Sequence, residues 1–109
     1  MINLAKGKDD NWINKHLRLS IAMSCDKSEG EITKQFLGSL KELNLSDKNI
    51  KHLDGLEFAK NLTNLLLNNN KIKDTSKLSH LRNLTNLELS NNRIEDLSFL
   101  SKLTKLKSI

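Results

Sequence analysis

One cysteine and three histidines are the residues of this chain best suited to covalent or metal chemistry: Cys25, His16, His52 and His80. A thiol beside an imidazole can become a nucleophile, because the ring accepts the thiol proton. A single cysteine forms neither an intrachain disulfide nor a multi-cysteine metal site. His52 and His80 fall in repeated segments, whereas Cys25 lies in the stretch before them. The expectation is that they stay apart, so that the chain is not an enzyme. The sequence contains no paired acids, glycine-rich phosphate loop or metal-spaced His/Asp cluster, and no metal or cofactor is expected. Asn44-Leu45-Ser46, Asn61-Leu62-Thr63 and Asn83-Leu84-Thr85 match the glycosylation sequon. Their spacing shows that the repeat itself generates them.

The chain has 109 residues, a single domain by length. Hydrophobic residues make up 37% of it but aromatics only 4%, with no Tyr or Pro, so the core must be built mostly from Leu and Ile. The net charge is +5. Nucleic acid binding would need that charge gathered along one groove with aromatics to stack bases. Lys51, Lys60, Lys71, Lys73, Lys77, Arg82, Arg93, Lys102 and Lys105 are instead scattered over loops, and no nucleic acid partner is expected. Residues 1–24 contain no apolar stretch suited to a signal peptide. No 18-residue apolar run occurs anywhere, so no membrane insertion is expected. A chain complete as given is expected in the cytoplasm.

At a step of 22 residues the sequence falls into register. Leu40, Leu62, Leu84 and Leu106 open successive units. Leu43, Leu65, Leu87 and Ile109 follow at position 4, and Leu45, Leu67 and Leu89 at position 6. Ile50, Ile72 and Ile94 hold position 11, and Leu56, Leu78 and Leu100 hold position 17. The Leu-x-Leu pair has the period of a strand, which points both side chains to one side. Asn70 and Asn92 sit where the chain must turn, and an amide there can satisfy buried backbone groups of its own and the neighbouring coil. One such coil cannot close a core, so neighbours must stack. Three departures stand out. Lys48 replaces the turn Asn in the first unit, so an Asn ladder should start at the second, with the preceding segment compensating in the first. Thr75 takes the apolar position 14 of Leu53 and Leu97. Ala59 is small at position 20, with Phe58 beside it to fill space.

Residues 11–24 read as an amphipathic helix with Trp12, Ile13, Leu17, Ile21 and Met23 on its apolar face, followed by a polar turn from Cys25 to Gly30. A second short helix follows, with Thr33 as N-cap, Ile32 stapled to Leu37 and Gly38 ending it. These helices would cover the first coil. The expected organisation is one structural domain: a flexible N-terminus (1–10), a helical cap (11–39) and repeats (40–61, 62–83, 84–105 and a partial unit 106–109).

The runs EGEITKQFLGSLKELNLSDKNIKHLDGLEFAKNLTNLLLNNNKI and NLTNLELSNNRIEDLSFLSKL resemble the cap-to-repeat junction and the repeats of internalin-type bacterial leucine-rich-repeat proteins. The resemblance spans roughly residues 11–109. It implies an α/β fold: a curved right-handed solenoid with short parallel strands on the concave face, 3₁₀ or irregular segments on the convex side, and an α-helical cap. It also implies recognition of a protein partner, and a cell-surface or secreted setting if the chain belongs to a longer protein.

In such a repeat the residues between the inward leucines point out of the concave sheet. They are Glu42, Asn64, Asn86 and Ser108 in one row and Asn44, Leu66 and Glu88 in the next, flanked by Ser46, Asp47, Asn68, Asn69, Ser90 and Asn91. Glu42, Asn44, Asn64, Leu66, Asn86 and Glu88 are the candidate partner-binding residues, with Leu66 as the apolar anchor. Alternative expectations are a structural scaffold or fragment without its own partner, and a regulatory subunit of an enzyme. Leu100, Leu103, Leu106 and Ile109 should leave the last coil with little cover, so self-association through that end is also expected as an option.

Overall fold

The computed structural model describes residues 10–109; the expected flexible N-terminus falls, for residues 1–9, outside the described residues. A 3₁₀ turn, Asp10–Trp12, leads into α1, Lys15–Cys25. Asn14 caps α1, its side-chain oxygen accepting from Leu17 N. The helix stops where Asp26 turns into the left-handed region, sending its N–H back to Ala22 and Met23. A 3₁₀ turn, Glu29–Glu31, is held by the Glu31 carboxylate, which accepts from the amide and hydroxyl of Ser28. The short α2, Lys34–Ser39, begins at Thr33, whose hydroxyl accepts from Phe36 N as expected of the N-cap.

Three strands follow at the spacing the leucines dictate: β1, Glu42–Asn44; β2, Asn64–Leu66; and β3, Asn86–Glu88. They form a parallel sheet in the order β1-β2-β3. Between them the chain returns through 3₁₀ segments at Leu56–Phe58, Ser76–His80 and Ser98–Lys102. The result is the right-handed solenoid, with strands along the concave side and 3₁₀ segments along the convex side. Leu45, Leu56, Leu62, Leu65, Leu67, Leu78, Leu81, Leu84 and Leu87 are wholly buried with Ile50 and Ile72, each stabilising the coil stack by roughly 1.5–3 kcal/mol. The core continues without a break into Ile13, Leu17, Ile21, Ile32 and Leu37 of the cap.

Three ladders tie each coil to the one before it. Asn70 accepts from the amides of Lys48 and Ile50 and donates to Leu45 O and Leu67 O. Asn92 repeats the pattern on Ile72 N, Leu67 O and Leu89 O. Asn61 and Asn83 donate to Gly38 O and Lys60 O, and Thr63 and Thr85 to Lys41 O and Thr63 O. The Asn ladder reaches backwards, so the first coil needs no turn Asn of its own. There the cap supplies the bonds: the His16 ring to Lys48 O, the Ser24 hydroxyl to Asn44 O and Asn14 N to Asp54 O.

Several expectations need correction. Met23 is 65% exposed; the buried face of α1 runs instead through Leu17, Arg18, Ser20, Ile21 and Ala22. Gly38 lies within α2 rather than beyond its end, and Leu40 caps that helix in an extended conformation. Thr75 is buried yet satisfied, its hydroxyl donating to Asp96 O. Leu97, at the same position one coil later, is 59% exposed. Leu103 is buried, and so is Phe99, which stands where Gly55 and Lys77 stand in the earlier coils. Leu100 and Leu106 are half-buried and Ile109 is exposed.

Candidate partner-binding face

The pleat puts Leu43, Leu65 and Leu87 into the core and turns the flanking residues of each strand outward. Parallel register then aligns the outward residues into rows. Glu42 pairs with Asn64 and Asn64 with Asn86, and an isolated bridge adds Ser108 to that row. Asn44, Leu66 and Glu88 form the second row. All six candidate residues therefore come together on one face.

They are not equally available. Asn86 donates its side-chain amide to Asn64 Oδ1 at 2.6 Å, and Asn68 donates to the Glu88 carboxylate at 2.6 Å. Asn44 Oδ1 accepts from Ser46 N, tightening its own turn. Leu66 is half-buried and Glu42 exposed. Among the described residues, Glu42 makes no hydrogen bond within the chain. The flanking Asp47, Asn69 and Asn91 all adopt positive φ, between 57° and 61°. A short polar side chain tolerates that backbone best, so their residue type answers first to the turn.

Two residues of the cap also border this face. Ser24 and Cys25, at the end of α1, line a shallow hollow of about 370 Å³ with Glu42, Asn44, Asn64 and Leu66. Sequence reading missed this extension, because how α1 docks on β1 depends on the irregular Cys25–Gly30 connection. His16 lies nine residues before Cys25 on α1, about 13 Å along the axis. With His52 it borders a separate hollow beside Asn14, Asn49 and Lys51. His80 lies in the convex 3₁₀ segment Ser76–His80. Burial pushes the Cys25 thiol pKa above its ordinary value, against a smaller lowering by Lys27. Alkylation by iodoacetamide at pH 8 is accordingly expected to be several-fold slower in the folded chain than in urea. An equal or faster folded rate would mean an activated thiol.

On the outer side, Asp74 and Asp96 accept from the amides of Ser76 and Ser98, which hold both carboxyls below their ordinary pKa. These bonds start 3₁₀ segments, and the two acids are otherwise solvated. Among the described residues no group of three or more metal-ligating side chains gathers. None of the described helices is long and apolar enough to cross a membrane.

Comparison with known proteins agrees with this architecture. An internalin (inlF) from Listeria monocytogenes superposes with a TM-score of 0.82 at 33% identity, over 91% of this chain and 30% of that one. Internalin C2 of the same species gives 0.78 at 25% identity, over 90% and 45%. The CBM51-2 and INT domains of ZmpB from Clostridium perfringens give 0.60 at 41% identity, over 69% and 16%. The chain thus spans less than half the length of each of these bacterial structures. No curated protein matches it significantly. The leucine-rich repeat profile matches residues 31–109. With the 22-residue register, the turn asparagines and the docked helical cap, that match makes this chain a member of the leucine-rich repeat family, of the internalin type.

Proposed function

We propose that this chain is a protein-recognition module whose partner lies on the concave strands. The observation that carries the reading is the outward row Asn44, Leu66 and Glu88 beside Glu42. It is an ordered strip with one apolar residue at its centre and a free carboxylate at its edge. A rigid strip of this kind binds without having to be ordered first, which lowers the cost of association. A central apolar side chain ringed by polar groups is the common anatomy of a binding centre. The family's general use in protein interaction supports the reading, and with it a cell-surface or secreted setting.

The test is a double substitution, Leu66→Lys with Asn86→Arg. Affinity capture from native lysate of the source cells is expected to recover a protein with the wild-type chain and lose it with the variant, the melting temperature changing by no more than a few degrees. Capture unchanged by the variant would place the partner elsewhere. A melting temperature lowered by roughly 8 °C or more would show a structural role. One observation favours a second reading, a scaffold without its own partner: the Asn64–Asn86 and Asn68–Glu88 bonds tie much of the strip to itself. A wild-type chain that captures nothing specific would support that reading.

A further inference from the structure

We propose that the hollow between the end of α1 and the first two strands is a subsite for a lysine or arginine side chain carried by an extended, basic segment of the partner. The subsite rests on the concave-face reading and adds to it the chemistry of the ligand.

Charge points to this first. The chain holds 18 Lys and Arg against 13 Asp and Glu. Yet none of the 18 stands at the outward positions of the concave face, where Glu42, Asp47 and Glu88 supply the charge. A protein with a net positive charge thus turns a locally negative strip outward, and potentials across an interface tend to be complementary. An acidic segment would meet carboxylates there, and a basic one would be steered in.

The hollow itself points to the same ligand. Several of its oxygens are already committed: the Ser24 hydroxyl donates to Asn44 O, Asn44 Oδ1 accepts from Ser46 N and Asn64 Oδ1 accepts from Asn86. What it offers a ligand is the half-buried Leu66 side chain, the Cys25 sulfur, the exposed Glu42 carboxylate as its charged group, and the side-chain N–H groups of Asn44 and Asn64. An apolar wall beside a single free negative charge suits a side chain with an aliphatic stem and a cationic head. Lysine and arginine lay such stems along apolar surface while the head finds a charge or water. The parallel strands beside the hollow, and the strand spacing of about 4.8 Å, give a segment crossing them further contacts at Leu66 and Glu88.

The experiment is a titration of the whole isotope-labelled chain, followed by amide resonances, with three synthetic peptides of equal length. They alternate serine with arginine, with glutamate or with norleucine. The arginine peptide is expected to move Ser24, Cys25, Glu42 and Leu66 and to bind more weakly in higher salt. Glu42→Gln, which keeps shape and removes charge, is expected to weaken it about fivefold. Equal binding of the glutamate or norleucine peptide would overturn the subsite, as would an affinity unchanged by Glu42→Gln. A natural partner that moves Leu66 and Glu88 but leaves Ser24 and Cys25 unmoved would overturn the subsite and keep the concave-face reading. One that moves only convex residues would overturn both.

Discussion

Asn70→Ala is expected to destabilise the chain by about 3–5 kcal/mol, since each buried polar group left unsatisfied costs about 1–3 kcal/mol. Asn70 is only 7% exposed. Its amide donates to Leu45 O, Leu67 O and Asn68 O at 2.9, 3.0 and 3.3 Å. Its oxygen accepts from Lys48 N and Ile50 N, both at 3.0 Å. Alanine removes all five bonds at once; Leu67 O keeps the Asn92 amide and Asn68 O the Asp47 amide, but Lys48 N, Ile50 N and Leu45 O of the first coil lose their side-chain partner. Because native domains hold only about 5–15 kcal/mol in reserve, most of the folded population is at stake. Asn92→Ala should cost roughly half as much, about 1.5–2.5 kcal/mol, because Asn92 is half-buried and water can reach its turn. Urea denaturation of both variants checks the ranking. A cost for Asn70→Ala below about 1 kcal/mol would mean that water enters the turn and takes over the bonds.

The second large effect is expected at Gly55. Its φ of 107° is unfavourable for any residue with a Cβ. A Cβ placed there would lie 2.6–2.8 Å from the side chain and Cα of Ile13. Ile13 is buried, and its neighbour Asn14 donates its amide to Asp54 O beside the glycine. Gly55→Ala must therefore push the cap off the first coil. Backbone strain and overpacking together should cost about 3–4 kcal/mol. Trp12 is the only tryptophan of the chain and packs edge-on against Phe58, their ring centres 5.5 Å apart. Loosening the cap should therefore move its emission to the red. Adding Ile13→Ala should recover part of the loss, which a double-mutant cycle measures. An unchanged emission and urea midpoint in Gly55→Ala would show that the cap does not depend on this close approach.

The two predictions differ in how far the sequence foreshadows them. Asn70 is legible because it recurs as Asn92 in a fixed register, and a turn that closes on itself must satisfy its own backbone. The same register places Glu42, Asn64 and Asn86 in one row and Asn44, Leu66 and Glu88 in another. Gly55 recurs in neither later coil, where Lys77 and Phe99 stand. Its role comes from the cap, whose irregular pieces obey no period. The same holds for His16 and Ser24, which look like surface polar residues until α1 is seen to lie against the first coil. Met23 misled because helical spacing allows a wide apolar face while docking uses a narrower one. Phe99 and Leu97 exchange inside and outside relative to the earlier coils, an exchange the 22-residue register does not carry. The internal bonding of the concave amides was not legible either. A row of asparagines reads equally as free donors or as a ladder until the distances are known.

The ladders also govern how such a chain changes length over generations. Asn61, Asn83, Thr63, Thr85, Asn70 and Asn92 each bond to the preceding segment at nearly the same offset in sequence. Duplicating or deleting one whole unit of 22 residues would leave every one of these joints with a matching partner. Inserting a single residue in a strand would break all of those around it and turn the leucines outward. Unequal exchange between repeats can therefore lengthen or shorten the molecule, and with it the reach of its concave strip, in steps of one strand spacing. The cap, joined to the first coil by bonds that occur only once, is the part that such exchange must leave alone.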